Sequence, residues 1–201
     1  MIENKEHKKI DITVNIPDSI DKLSYDIIRK LSIRQGNKNP QNPYDSISII
    51  TRLTIPDNIK SIEDGTFRFF KGLREITFPD DISEISLNAF YDCQSLDSVK
   101  LPANLKVIKE YAFKDCYNLK KINLPKNITD IKKFAFTNCI NLEKIKIPDS
   151  VINLENSVFE NCYNLKEVEL SNSIKTLNRY TFSNCKNLVS VKIPFGIEKN
   201  R

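Results

Sequence analysis

The chain has 201 residues, of which 40% are hydrophobic and 28% charged, so fibrous and disordered protein classes are excluded. Its net charge of +5 is small for this length and does not indicate a dedicated nucleic-acid-binding protein. No apolar run is long enough for a signal-peptide core or a membrane span, so the sequence as written predicts a cytoplasmic protein.

The N-terminal quarter predicts a tail followed by a cap. Residues 1–9 carry charges of both signs, include the one histidine, His7, and predict a flexible tail. Residues 10–50 predict a divergent N-terminal capping repeat, because the apolar spacing of residues 14–23 copies that of the later chain. Residues 34–46 are polar and rich in turn formers, which predicts an insertion loop within this repeat.

A 23-residue unit governs residues 51–201, as about six full copies and a partial last one. Each copy opens with an apolar-x-apolar pair before a corner, usually a proline, which predicts a short strand. A second apolar pair follows, which predicts a short extended stretch and then one helical or 3₁₀ turn on the outer side. The opening pairs are Leu53/Ile55, Ile76/Phe78, Val99/Leu101, Ile122/Leu124, Ile145/Ile147, Val168/Leu170 and Val191/Ile193.

Each copy closes with a Phe-x-x-Cys-x-x-Leu segment, although the first copy has Phe70 in place of the cysteine. Stacked copies would place each of these residues in a column along one continuous core. Side chains in one column run parallel and cannot face each other, so we expect free, buried thiols and no disulfides. These are Cys93, Cys116, Cys139, Cys162 and Cys185.

Over about residues 50–197, the unit Leu-x-x-Ile-x-Ile-Pro-x-x-Ile-x-x-Ile-x-x-x-Ala-Phe-x-x-Cys-x-x-Leu resembles the 23-residue leucine-rich repeat of the treponemal, or BspA-like, type. The resemblance implies an α/β solenoid, a right-handed leucine-rich-repeat superhelix with a parallel β-sheet on its concave face. Members of that family are largely extracellular or surface-displayed proteins that bind host matrix proteins or other cells, and intracellular members exist.

The sequence predicts no catalytic, metal or cofactor site. His7 lies in the tail, the cysteines occupy core positions, and no phosphate-binding glycine-rich loop occurs. We therefore expect a protein that is not an enzyme and has neither a cofactor nor a small-molecule substrate. A column of asparagines one residue before the ladder leucine is expected to hydrogen-bond backbone groups at the coil corner: Asn118, Asn141, Asn164 and Asn187.

Function is therefore expected at the variable positions of the concave sheet face, where nine residues are basic and five acidic. A lysine cluster covers three adjacent strands and consists of Lys100, Lys120, Lys121, Lys144 and Lys146. It favours an acidic protein surface as the partner, because such a patch steers encounter and sets specificity. The alternative is that the lysines only keep the sheet face solvated. A nucleic acid fits less well because this face has no aromatic side chains for base stacking.

A second candidate surface is an outer column in which Tyr117, Ile140 and Tyr163 would form an apolar stripe flanked by lysines. Packing of these side chains against the neighbouring coil explains the column equally well. The terminal coils offer a third surface, since an uncapped edge strand either self-associates or is blunted by charge.

Two functions from different classes fit these observations. The first is a non-catalytic leucine-rich-repeat module that binds a protein partner through its concave sheet face. The second is a secreted or surface-displayed BspA-like adhesin or antigen, located at the cell surface, that binds host matrix or other cells.

Overall fold

The computed structural model describes residues 16–34 and 50–197. The predicted tail 1–9, with His7, and most of the predicted loop 34–46 lie outside these residues. In chain order the elements are β1 (Lys22–Leu23), α1 (Tyr25–Arg34), β2 (Arg52–Thr54), β3 (Ser61–Ile62), β4 (Glu75–Thr77), β5 (Glu84–Ile85), β6 (Ser98–Lys100), β7 (Val107–Ile108), β8 (Asp130–Ile131), β9 (Lys144–Lys146), β10 (Asn153–Leu154), β11 (Glu167–Glu169) and β12 (Ser190–Lys192).

Residues 50–197 form a solenoid in which all strand pairs are parallel. Partners differ by one 23-residue repeat, as shown by Ile76 opposite Val99. The predicted fold class, a leucine-rich-repeat solenoid built on parallel strands, is confirmed. We number the coils from one to seven, each beginning at its main-face strand position.

The three-residue strands make the main face of the solenoid. They form two separate sheets, β2–β4–β6 and β9–β11–β12. In each strand the middle residue is turned into the core, as Ile76 and Val168 show, while the flanking residues face outward. The strands are short because the corner that follows, a proline in most coils, cannot donate to the ladder.

The fourth coil has no strand on the main face, and the prediction of a strand at Ile122/Leu124 is therefore wrong. Its apolar alternation is intact, and Ile122 is buried as expected. The difference lies in the charges beside it. The 23-residue register places Lys121 beside Lys144, so like charges adjoin where other coils have opposite ones, which disfavours pairing of the chain at this point.

The second corner carries the two-residue strands. β5, β7, β8 and β10 form one sheet, and β1 pairs with β3. After this corner the chain passes through separate turns, in which Cys93 N donates to Phe90 O at 3.1 Å and Leu96 N donates to Cys93 O at 3.0 Å. Residues with positive φ, such as Asn88 at 54° and Asp92 at 60°, interrupt the turns, so none of residues 50–197 is helical. The outer segment thus consists of the expected short strand and turns, without a continuous helical turn.

A stack of phenylalanine rings runs through the core. Consecutive ring centroids are 5.1 to 5.8 Å apart, and their planes are within 11° of parallel. The rings belong to Phe67, Phe90, Phe113, Phe136, Phe159 and Phe182. The first five are fully buried and Phe182 is partly buried. Because each ring is covered by its neighbours above and below, the stability of a coil depends on the adjacent coils.

All five cysteines are free thiols, as predicted. Four are fully buried and Cys185 is half-buried. Each Sγ donates to the backbone oxygen of the phenylalanine 26 residues earlier, at 3.0 to 3.2 Å. Burial raises the pKa of every thiol, to about 11 for Cys185, so the thiolate form is suppressed.

The asparagine column is a side-chain ladder, and the prediction that it bonds backbone groups is wrong. Asn164 Nδ2 donates to Asn141 Oδ1 at 3.0 Å, and Asn187 Nδ2 donates to Asn164 Oδ1 at 3.1 Å. Asn141 Nδ2 lies 3.5 Å from Asn118 Oδ1. The carboxamide both donates and accepts, so identical side chains about 5 Å apart in adjacent coils satisfy each other.

Residues 16–34 cover the first coil through β1 and α1. Ser24 begins the helix, with its Oγ 3.4 Å from the backbone N of Ile27, as is typical of an N-cap. β1 pairs with β3, and Asn58 Nδ2 donates to Ile20 O at 2.7 Å. These residues fall within the predicted capping repeat 10–50.

Candidate partner-binding face

A groove with a volume of about 1080 Å³ crosses the main face over the fourth to seventh coils. Aliphatic residues such as Ile145 and Val168 contribute to its lining, together with outward-facing lysines and glutamates. Four of the five predicted patch lysines line it, namely Lys120, Lys121, Lys144 and Lys146. The fifth, Lys100, lies on β6 of the third coil and is exposed.

We call β9, β11 and β12 the paired strands, because their charges match across the coils. Lys144 is the register partner of Glu167, and its Nζ lies 2.7 Å from Glu167 Oε1. Glu169 Oε1 lies between Lys146 Nζ at 3.1 Å and Lys192 Nζ at 3.4 Å. Hydrogen bonds from Lys146 and Lys192 lower the pKa of Glu169. Two of the five predicted lysines are therefore already neutralised by the protein itself.

The remaining glutamate in the lining of the groove is paired as well. Glu143 Oε2 lies 3.5 Å from Lys166 Nζ of the next coil. Every carboxylate that lines the groove thus has a lysine partner within the chain.

The chain at Lys121–Leu124, which we call the fourth-coil segment, is different. Within residues 16–34 and 50–197, its backbone N–H and C=O groups make no hydrogen bond to another backbone group. The coils have not moved apart, since the Phe113 ring lies 5.1 Å from Phe90 and 5.2 Å from Phe136. The gap in the ladder is therefore confined to the surface of the solenoid, above a continuous core.

The charges around the fourth-coil segment have no internal partners. Lys100, Lys120 and Lys121 are exposed, and none of them forms an ion pair with any carboxylate of the described chain. Lys126, which also lines the groove, is likewise without an ion pair to the described residues. One end of the groove is thus cationic, while its other end is close to neutral.

Sequence reasoning located the lysines but missed their division into two groups. Glu167 and Glu169 lie one strand beyond the cluster and were not considered as partners. The signal that could have found them is the repeat itself, because residues 23 apart are neighbours on the sheet face.

The outer stripe is less exposed than a free surface would be. Tyr117 and Ile140 are partly buried, and Tyr163 is 39% exposed with Lys186 Nζ 5.0 Å from its ring centroid. Partial burial, with Asp115 and Asp92 nearby, raises the pKa of Tyr117. Packing on neighbouring coils accounts for much of this column, and its role in binding stays a prediction.

No cluster of three or more metal-ligating side chains occurs within the described residues. The one helix of that part of the chain is too short to cross a membrane.

The parallel ladders, the phenylalanine stack and the 23-residue register define a leucine-rich-repeat protein. More narrowly, the chain belongs to the family of the BspA type leucine rich repeat region, whose model matches residues 40–166 and 107–200 in six copies.

Solved structures of bacterial leucine-rich repeat proteins are similar to this chain. The T. pallidum leucine-rich repeat protein TpLRR is 27% identical with a TM-score of 0.69, over 72% of this chain and 70% of that one. A Bacteroides ovatus protein is 26% identical with a TM-score of 0.60, over 72% of this chain and 46% of that one. An Eubacterium ventriosum protein, similar in fold, is 24% identical with a TM-score of 0.52, and this chain spans 42% of its length. The search among curated proteins found no match.

Proposed function

We propose that this chain is a non-catalytic protein-interaction module that binds an acidic segment of a protein partner on its main face. One observation carries the proposal. Lys100, Lys120 and Lys121 have no carboxylate partner among the described residues, beside a groove whose own glutamates are all paired.

The pairing decides which lysines can attract a partner. A carboxylate that approaches Lys144 must compete with Glu167, which is already 2.7 Å away. A carboxylate that approaches Lys120 or Lys121 displaces only water, so these two lysines contribute most to steering and specificity. Lys144 and Lys146 therefore shape the groove, while the lysines of the fourth coil supply its free charge.

The shape of the site favours a protein ligand. The groove spans four coils, and aliphatic side chains such as Ile122, Leu124 and Ile145 contribute to its lining between the charged groups. An extended segment with acidic and apolar residues can use both kinds of surface. Protein binding also agrees with membership of the BspA-type leucine-rich-repeat family.

The test is a charge reversal on the fourth coil. The double variant Lys120→Glu/Lys121→Glu should weaken binding of a fluorescein-labelled oligoglutamate peptide by about tenfold or more, measured by anisotropy at low salt. The matched control is Lys106→Glu/Lys175→Glu, which makes the same charge change at exposed lysines outside the groove. An equal loss in both double variants would show that only net charge matters and would contradict the proposal.

The alternative, a surface-displayed adhesin, would use the same face but in a different place. Accessibility of the protein to protease added to intact cells of the source would favour the adhesin. Protection from the protease until the cells are lysed would favour the intracellular module.

A further inference from the structure

The seventh coil places apolar side chains where the other coils have polar ones. Phe195 follows the corner proline and is fully exposed, at 105%. The corresponding residue is exposed in every earlier coil and is never aromatic or a large aliphatic: Asp57, Asp80, Ala103, Lys126, Asp149 and Asn172.

A second position in the seventh coil shows the same change. Val189, immediately before β12, is 84% exposed. In the five preceding coils this position holds an exposed charged residue: Arg74, Asp97, Lys120, Glu143 and Lys166.

These two exposures do not result from the lack of a further coil above the seventh. The equivalent residues of the earlier coils stay exposed although another coil follows them. Ile193 is also exposed, at 58%, but it belongs to a column that is largely buried below it, so it carries no part of the argument. Phe195 and Val189 are apolar at positions that face solvent in any case.

The charge of the same coil is of one sign. Residues 171–197 contain four basic residues and no acidic one: Lys175, Arg179, Lys186 and Lys192. Only Lys192 forms an ion pair with a carboxylate of the described chain, that of Glu169. Two copies of this surface would repel each other, so a symmetric contact between them is disfavoured.

We propose that the seventh coil binds the surface of an anionic lipid bilayer, with Phe195 and Val189 inserted and the basic residues near the headgroups. Phe195 sits in a turn beside Gly196, whose φ is 94°, and its full exposure leaves it without a protein pocket around the ring. A bilayer interface takes up such a protruding apolar side chain without needing a complementary pocket. Lysine and arginine within a Debye length of an anionic leaflet add attraction.

The chain has no tryptophan, so one substitution supplies a clean reporter. In Phe195→Trp, the emission should shift to the blue on addition of phosphatidylcholine vesicles that contain about one-third phosphatidylserine, but not with phosphatidylcholine alone. Ile152→Trp is the matched reporter, because Ile152 is 56% exposed and lies in another coil; its emission should not shift.

Co-sedimentation measures the contribution of insertion to affinity. Phe195→Asp should lower partition into the anionic vesicles by about tenfold or more, while Ile152→Asp leaves it unchanged. Both variants should melt like the unmodified protein, since both side chains are exposed.

Three results would overturn the proposal: no partition into anionic vesicles, equal partition of Phe195→Asp and the unmodified protein, or an equal loss with Ile152→Asp. The first result would leave a protein with an acidic, apolar-lined pocket as the occupant of this coil. The proposal does not depend on the groove, because it uses neither Lys120 nor Lys121.

Discussion

The paired strands and the fourth-coil segment differ in one respect that their apolar pattern does not show. Both have the same alternation over the same phenylalanine stack, as Ile122 and Ile145 illustrate. On the paired strands, lysine lies opposite glutamate in register. Beside the fourth-coil segment, the neighbours of Lys121 in the register are Ser98 and Lys144. The core ladder thus follows from the repeat, whereas the surface ladder also depends on side-chain pairs between coils.

The magnitudes agree with this division. A buried phenylalanine contributes several kcal/mol, so every coil stacks whatever its surface charges. A cross-strand charge pair contributes only about 0.2–1 kcal/mol, and adjacent like charges cost a similar amount. Such small terms cannot unstack a coil, but they can decide whether a three-residue strand forms on its surface.

The largest expected effect tests whether the core is the same under both regions. Phe113→Ala, below the fourth-coil segment, and Phe159→Ala, below the paired strands, should each lower the free energy of unfolding by about 3–5 kcal/mol. Both rings are fully buried in the stack, so equal costs are expected in urea denaturation. A much smaller cost for Phe113→Ala would mean that the gap extends into the core.

A smaller effect is expected from giving the fourth-coil segment the missing partner. Asn123 lies between Lys100 and Lys146 in the register, so Asn123→Glu places a carboxylate between two lysines. We expect an increase of about 0.2–1 kcal/mol in the free energy of unfolding, measured in urea. Asn123→Gln is the control that keeps the size of the new side chain without its charge, and an equal gain in this control would contradict the electrostatic explanation.

The smallest effect concerns the acid sensitivity of the paired strands. Lys146 and Lys192 hold the pKa of Glu169 below its ordinary value, so the folded state binds a proton at this carboxylate less readily than the unfolded state does. Its stabilising contribution is therefore full above the unfolded pKa of a glutamate and is lost as the pH falls through the folded pKa. Glu169→Gln should lower Tm slightly at neutral pH, and the difference from the unmodified protein should vanish in acid. A difference that persists unchanged in acid would exclude this ion pair as the cause.

The sequence was sufficient to predict the scaffold, because period and core are the same fact. The columns of Phe113, Cys116 and Leu119 recur every 23 residues, and stacking buries them wherever the period holds. The side-chain ladder of Asn141 and Asn164 was not predicted, since the column was assigned to the backbone and amide-to-amide bonding was overlooked. The gap at Lys121–Leu124 was not predicted either, because apolar alternation describes the face toward the core and says nothing about charges between coils.

The candidate site was predictable only in outline. The lysine cluster is visible in the sequence, but the state of each lysine depends on residues one coil away. Lys144 and Lys121 look alike in the sequence, and only the register shows that Glu167 neutralises one of them. The apolar residues of the seventh coil required a comparison of exposure at each position, which the sequence does not contain.

Residue-resolved amide hydrogen exchange under native conditions tests the central claim most directly. The amides of Lys121–Leu124 should exchange fast, because they have no backbone acceptor among the described residues. The amide of Ile147, which donates to Glu169 O at 2.8 Å, and those within β11 should exchange much more slowly. Equal protection of the fourth-coil segment and the paired strands would contradict the account, because the main face would then be one continuous sheet.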